Sequence, residues 1–203
     1  MTRLLLMRHG RSEWNAAKRI QGWAESPLDE TGREQARRLA GRLKADPPDV
    51  LYASPLRRAS ETCEILAAEL DMTVVFDERL KEIGAGQLTG LTNQEVGERF
   101  PELVRQWQED PNGIQFPGEE DREGFRSRVA AVFDEIASRH PEETVGVVSH
   151  GGALRAYLNV LLGLPGWTSP FRFGNGSLTI VEINQGRPRI TIVNDRCHQE
   201  GLE

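Results

Sequence analysis

An α/β fold is what this amino-acid sequence predicts, and two observations predict it. Short apolar runs of strand length alternate along the chain with segments whose apolar residues fall on one face of a helix. Two of those runs end in histidine followed by glycine, at 9–10 and 150–151, which is how a strand stops at the ligand-binding edge of an open sheet. With 203 residues the chain fits a single domain over 1–203 and can bury roughly 70% of the surface its unfolded form exposes.

The first strand is RLLLM at 3–7, and a helix near 31–44 opens after SPLDETG and aligns Ala36, Leu39, Ala40 and Leu43. VLYA at 50–53 is the second strand. A helix over 55–70 follows, with Ser54 as its cap, Pro55 in its first turn, and Leu56, Ala59, Cys63, Leu66 and Leu70 on its apolar face. TVVF at 73–76 is a third strand. Between Gly84 and Gly124 the pattern loosens into glycines, prolines and short helical pieces, read as an insertion or lid over a site, or else a long connection. Phe125, Val129, Val132, Phe133 and Ile136 mark the next helix, which ends at RHPEE. TVGVVS at 144–149 is a strand, LRAYLNVLLGLP is an apolar helix read as core, part of which is available to pack a second copy of the chain, and LTIVEI and RITIV face each other across NQGRP as a hairpin.

A net charge of −6 gives no long-range attraction for nucleic acid or an anionic membrane, so any anion must be held by a local cation cluster. Cys63 and Cys197 stand alone, without the spacing of a zinc site or a disulfide scaffold, and a reducing cytoplasm is the expected setting. The apolar run Leu4–Met7 is too short for a secretion signal, and no run approaches the ~18 apolar residues of a membrane span.

The chemistry concentrates at LLLMRHG and VGVVSHGG, which place His9 and His150 at strand ends. No HExxH, GxxxxGK[ST] or GxSxG occurs in the chain. What remains is nucleophilic catalysis by an unprotonated imidazole. Arg8, beside His9, suits phosphoryl transfer: a guanidinium fork matches phosphate oxygens, and its charge lowers the neighbouring histidine's pKa. On residue types alone, Arg57 is as good a second cation as Arg58, and Glu78 nearly as good an acid as Glu82.

Five stretches together resemble the histidine phosphatase superfamily, the phosphoglycerate mutase-like proteins. They are MRHGRSEWN, RIQGWAESPLDETGREQA, YASPLRRASETCEI, RLKEIGAGQLTGLT and VVSHGG. The resemblance implies a three-layer sandwich with a mostly parallel central sheet flanked by helices. It also implies that His9 is the nucleophile, that Arg8, Arg58 and His150 surround the transferred phosphoryl group, and that Glu82 protonates the leaving oxygen. Asn15, Gln21 and Gly22 match positions lining the family's phosphate pocket, and the Gly151 N–H adds a donor there. Arg57, Glu78 and Arg11 are then read as exposed charges. No metal and no other cofactor is required.

Mutases similar to this sequence carry a longer insertion, so water is the expected acceptor and a small phosphorylated metabolite the expected substrate. Phosphoserine is one candidate, because NDRCHQEG is similar to the tail of the family's metal-independent phosphoserine phosphatases. Phosphoglycerate mutase and α-ribazole phosphatase are the alternative enzymes, and a catalytically weak phosphate-ligand or protein-binding module is the alternative from another class. Leu88 and Thr89 depart from the usual tryptophan and glutamate, and FPGEEDREGF adds Glu119, Glu120 and Asp121, expected to repel a polyanion at the pocket mouth. Cys197 and His198 are read as an ordinary C-terminal pair, His140 as a helix-end cation, and Trp107, Phe100 and Leu103 as lid packing.

Overall fold

The structure, a computed structural model, describes residues 1–202. Its centre is β1 (Thr2–Arg8), flanked on one side by β4 (Thr144–Ser149) and on the other by β5 (Leu178–Asn184). With β2 (Val50–Ala53), β3 (Val74–Phe76) and β6 (Arg187–Asp195) these form a six-stranded sheet in the order β3-β2-β4-β1-β5-β6. Only β5 opposes the rest, pairing antiparallel with both neighbours while the other pairs are parallel. The β5–β6 turn is Gln185 and Gly186, both at positive φ (49° and 73°), the geometry whose twist matches two antiparallel strands.

β1 is apolar throughout because both its faces are covered. Leu4 and Leu6 point to a core shared with α6 (Arg122–Arg139) and α7 (Gly151–Leu161), where Phe133 stacks on Tyr157 at 4.1 Å. Leu5 and Met7 point to the opposite core, built with α2 (Glu30–Leu43) and α3 (Arg57–Leu70). The helix–sheet–helix layering thus follows from strand alternation.

Asp29 caps α2 by accepting the Gly32 N–H at 2.7 Å, but the start of α3 differs from expectation. It begins at Arg57, with Leu56 at the cap position and no side-chain cap, so neither Ser54 nor Pro55 plays the role read from sequence. Ser54 is taken by another partner, His150.

Residues 84–124 hold a short 3-10 turn at Gly86–Leu88, then α4 (Asn93–Arg99) and α5 (Pro101–Glu109). The backbone at Gly86 (φ 52°) presses on that of Gly118, where an added Cβ would come within 2.2 Å. Trp107 remains 40% exposed, which makes it a poor packing residue, whereas Phe100 meets Phe116 edge-on. Val160 and Leu162 of the apolar 154–165 run also face outward, although Leu154, Tyr157 and Leu158 are core. Among the described residues no helix is long and apolar enough to cross a membrane.

Candidate active site

Register assembles the site. Arg8 pairs with Ser149 and Ala53 with Val148, so His9, His150 and Ser54 leave three adjacent parallel strands at the same edge. The His9 and His150 rings lie 5.2 Å apart, both buried. His9 Nδ1 is 2.7 Å from the Gly10 carbonyl. A carbonyl only accepts, so Nδ1 carries the proton and Nε2 is left with its lone pair. Burial, reinforced by the charges of Arg58 and Arg8, holds the His9 pKa well below the usual 6.5.

His150 is lowered in the same way, by burial first and then by Arg58, His9 and Arg8. Its Nε2 is 2.7 Å from Ser54 Oγ. That oxygen accepts the Leu56 N–H at 3.3 Å, and its own proton has no other acceptor among the described residues, so the hydroxyl donates to Nε2 and the imidazole proton sits on Nδ1. Arg58, 1% exposed, donates to the carbonyls of Gly22 (2.8 Å) and Ala24 (3.0 Å), and burial brings its pKa down to about 10. Arg8 donates through Nη1 to the Phe173 carbonyl at 2.5 Å, and burial lowers it also. Both guanidiniums stay charged at neutral pH.

Arg8 Nε, Arg58 Nε and His150 Nδ1 are buried and have no partner among the described residues. An unpaired buried N–H is uncommon in a folded protein. Three beside one unprotonated imidazole nitrogen make a site for an anion with several oxygens.

Glu82 follows the 3-10 turn at Glu78–Leu80 and reaches the first turn of α7, accepting the N–H of Gly152 at 2.8 Å and of Ile83 at 3.0 Å. Its charge acts on both Arg8 and Arg58, holding their pKa values up against burial. The second glycine after His150 thereby acquires a reason, since a Cβ at Gly152 would lie 2.1 Å from Glu82 Oε1. Gly152→Ala is expected to push this carboxylate aside and lower kcat for alkyl phosphates by on the order of a hundredfold, within the usual worth of a general acid. Circular dichroism of that variant should be unchanged; undiminished kcat would show that Glu82 need not sit there.

Sequence reading missed what holds the Glu82 loop. Arg128 of α6 donates to the carbonyls of Arg79 (2.8 Å), Lys81 (2.9 Å) and Glu82 (3.0 Å), and pairs with Glu120 at 2.7 Å. Glu120 in turn accepts the Gly84 N–H, and Trp23 Nε1 donates to the Glu82 carbonyl at 2.7 Å. Of the acidic run expected at the pocket mouth, Glu120 does line the cavity beside Trp23, but its charge is held by Arg128. Besides Glu120, Glu119 pairs with Arg122 and accepts the Phe116 N–H, and Asp121 caps α6 at Gly124.

Asn15 and Gln21 converge on Ser12, whose Oγ lies 3.0 Å from Asn15 Oδ1 and 2.9 Å from Gln21 Oε1. Asn175, also missed, bridges Asn15 Oδ1 and the carbonyls of His9 and Gly10. Gly22 (φ 49°) contributes its carbonyl to Arg58, and a methyl on Gly151 would sit 3.5 Å from Arg8 Nε. Arg57 and Glu78 stay in surface ion pairs with Glu61 and Lys81. Arg11 is only partly exposed: it pairs with Asp29 at 2.6 Å and donates to Thr31, tying the His9 loop to α2.

Behind that loop, His198 Nε2 meets the Gly176 carbonyl at 3.0 Å and Gln199 donates to the Asn175 carbonyl. Cys197 is exposed beside Arg42, whereas burial pushes the Cys63 thiol up to about 12, which leaves it inert. His140 bonds Tyr52 and Glu143 at the end of α6, as its helix-end reading expects. Two cavities border the cluster. One, of about 370 Å³, is lined by Arg8, Glu82, Gly151 and Gly152; the other, of about 490 Å³, by Trp23, Gly84, Ala85 and Gly118. Among the described residues no three His, Cys, Asp or Glu side chains converge as a metal-binding group.

The model of the histidine phosphatase superfamily (branch 1) matches residues 4–196. The chain belongs to the histidine phosphatase superfamily. This histidine phosphatase is 36% identical to phosphoserine phosphatase 1 of Hydrogenobacter thermophilus over 98% of its own length and 94% of that protein's. It is 35% identical to a metal-independent phosphoserine phosphatase of Arabidopsis thaliana, over 98% of this chain and 83% of the relative. Among solved structures, YhfR of Bacillus stearothermophilus superposes with a TM-score of 0.91 at 33% identity, covering 98% of this chain and all of that one. The three-layer architecture expected of the family is therefore the one observed.

Proposed function

We propose that this phosphomonoesterase hydrolyses a small phosphorylated metabolite, with phosphoserine the favoured candidate, through a phosphohistidine intermediate and without a metal. One observation carries the reading: three unpartnered buried N–H groups, on Arg8, Arg58 and His150, stand beside the unprotonated nitrogen of His9. The names of the two relatives favour phosphoserine and metal independence.

His9 Nε2 attacks phosphorus, the bond to the alcohol oxygen breaks, and Glu82 supplies the proton that oxygen needs. Water then attacks the phosphohistidine, Glu82 takes its proton, and phosphate leaves with His9 neutral again. Arg8 and Arg58 neutralise the equatorial oxygens during both steps, and the neutral His150 donates its Nδ1–H to them. Asn15, Gln21 and Gly22 shape the pocket floor, and the Gly151 N–H faces the phosphoryl group from the start of α7. The 84–124 segment serves as a lid, contributing Gly118 and Thr89 to the wall of the second cavity.

Release of phosphate from p-nitrophenyl phosphate in excess EDTA tests the reaction. A folded but inactive protein would support a binding module instead, and a requirement for added magnesium would remove the metal-free scheme. Glu82→Gln is expected to cost roughly a hundredfold or more on alkyl phosphates, whose leaving oxygen needs a proton, and much less on the aryl ester. Equal losses on both would argue against the acid role.

A further inference from the structure

Arg155 and Arg172 complete the lining of the 370 Å³ cavity that holds Arg8 and the Glu82 carboxylate. Both are exposed, and neither pairs with a carboxylate among the described residues. That sets them apart from Arg79, Arg122 and Arg128, each held by an acidic neighbour. Arg155 lies one turn into α7, its Nε 3.3 Å from the Gly151 carbonyl, and its positive charge is felt at Arg8. The cavity thus gathers three guanidiniums around a single carboxylate, and that carboxylate is neutral whenever it carries the proton it donates.

The phosphoryl oxygens account for Arg58 and His150, both buried, and for the buried Nε of Arg8. Arg155 and Arg172 stand farther out, on the side toward which the leaving alcohol extends, because Glu82 must touch the leaving oxygen and lines this cavity and not the Trp23 one. Two uncompensated guanidiniums lining one cavity on the alcohol side select for a second anion on the substrate, and their planar forks match a carboxylate. We propose that Arg155 and Arg172 form a subsite for a carboxylate carried by the alcohol half of the phosphate ester. This rests on the phosphomonoesterase reading and narrows it: the preferred substrates are phosphate esters of hydroxy acids, and neutral or purely cationic alcohols are disfavoured.

The test compares O-phosphoserine with O-phosphoethanolamine, which lacks only the carboxylate, and uses p-nitrophenyl phosphate as a probe of the phosphoryl machinery. Wild-type enzyme should prefer phosphoserine. The double variant Arg155→Gln/Arg172→Gln should lose roughly ten- to a hundredfold in kcat/KM for phosphoserine, mostly through KM, as removal of charge-assisted hydrogen bonds does. Phosphoethanolamine and p-nitrophenyl phosphate should change little, which also shows the variant to be folded. No wild-type preference for phosphoserine, no loss in the double variant, or an equal loss on all three substrates would overturn the subsite and leave the hydrolase standing. Failure of the wild type on all three would instead overturn the phosphomonoesterase reading beneath it.

Discussion

Replacing His9 by alanine is expected to abolish turnover, lowering kcat/KM by roughly ten-thousand-fold or more, as loss of a nucleophile does in other covalent enzymes. The fold should survive. The backbone N–H of His9 still donates to the Ser149 carbonyl at 3.0 Å, and β1 keeps its pairing on both sides. What disappears is the one nitrogen in the cluster with a free lone pair. Wild-type protein quenched during turnover should carry acid-labile phosphate, and the variant should carry none. Labelling of the variant to wild-type extent, or activity within tenfold of it, would move the nucleophile elsewhere.

The second large effect is on stability as pH falls. His9 and His150 both have pKa values held well below 6.5 in the folded protein, chiefly by burial and next by Arg58. In the unfolded chain both titrate near 6.5. Below that pH the unfolded state binds protons the native state refuses, so the stability of the native state is full above about 6.5 and declines as pH drops toward the folded pKa values. Each histidine contributes on the order of 1 kcal/mol per pH unit in that window, and the pair about twice that. Asp195, held down to about 2 by Arg42 and the Cys197 N–H, acts only at far lower pH.

Urea unfolding between pH 7.5 and 5.0 in phosphate-free buffer reads the effect directly. His9→Ala should reduce the slope by a third to about half, because burial also lowers the pKa of His198, which adds to it. A stability that stays flat across this range would mean the native histidines protonate normally, and with it the unprotonated nucleophile would be lost.

Much of this is legible in the sequence. β1 and β4 are apolar because both faces are buried, and each stops at a histidine followed by glycine; those two facts place His9 and His150 on one sheet edge. The start of α2 at the SPLDETG stretch and the apolar stripe of α6 are equally readable, because turn signals and helical periodicity are local. Ser54 shows the boundary: its sequence neighbourhood says helix cap, yet its hydroxyl serves a histidine 96 residues away. The pairing of Glu120 with Arg128 is likewise hidden from the sequence, since only packing of the loop on α6 brings them together.

What the sequence by itself determined, then, is the layered α/β fold, the two histidines at strand ends and the cationic neighbour of the first, all properties of periodicity and adjacency along the chain. Only the tertiary structure decided which proton each imidazole carries, that Gly152 must be glycine to admit Glu82, that Arg128 anchors the loop bearing it, and that Arg155 and Arg172 line the cavity beside Glu82. Those depend on contacts among β1, β4, α6 and α7, and a pairwise distance between residues far apart in sequence has no signature in either of their local neighbourhoods.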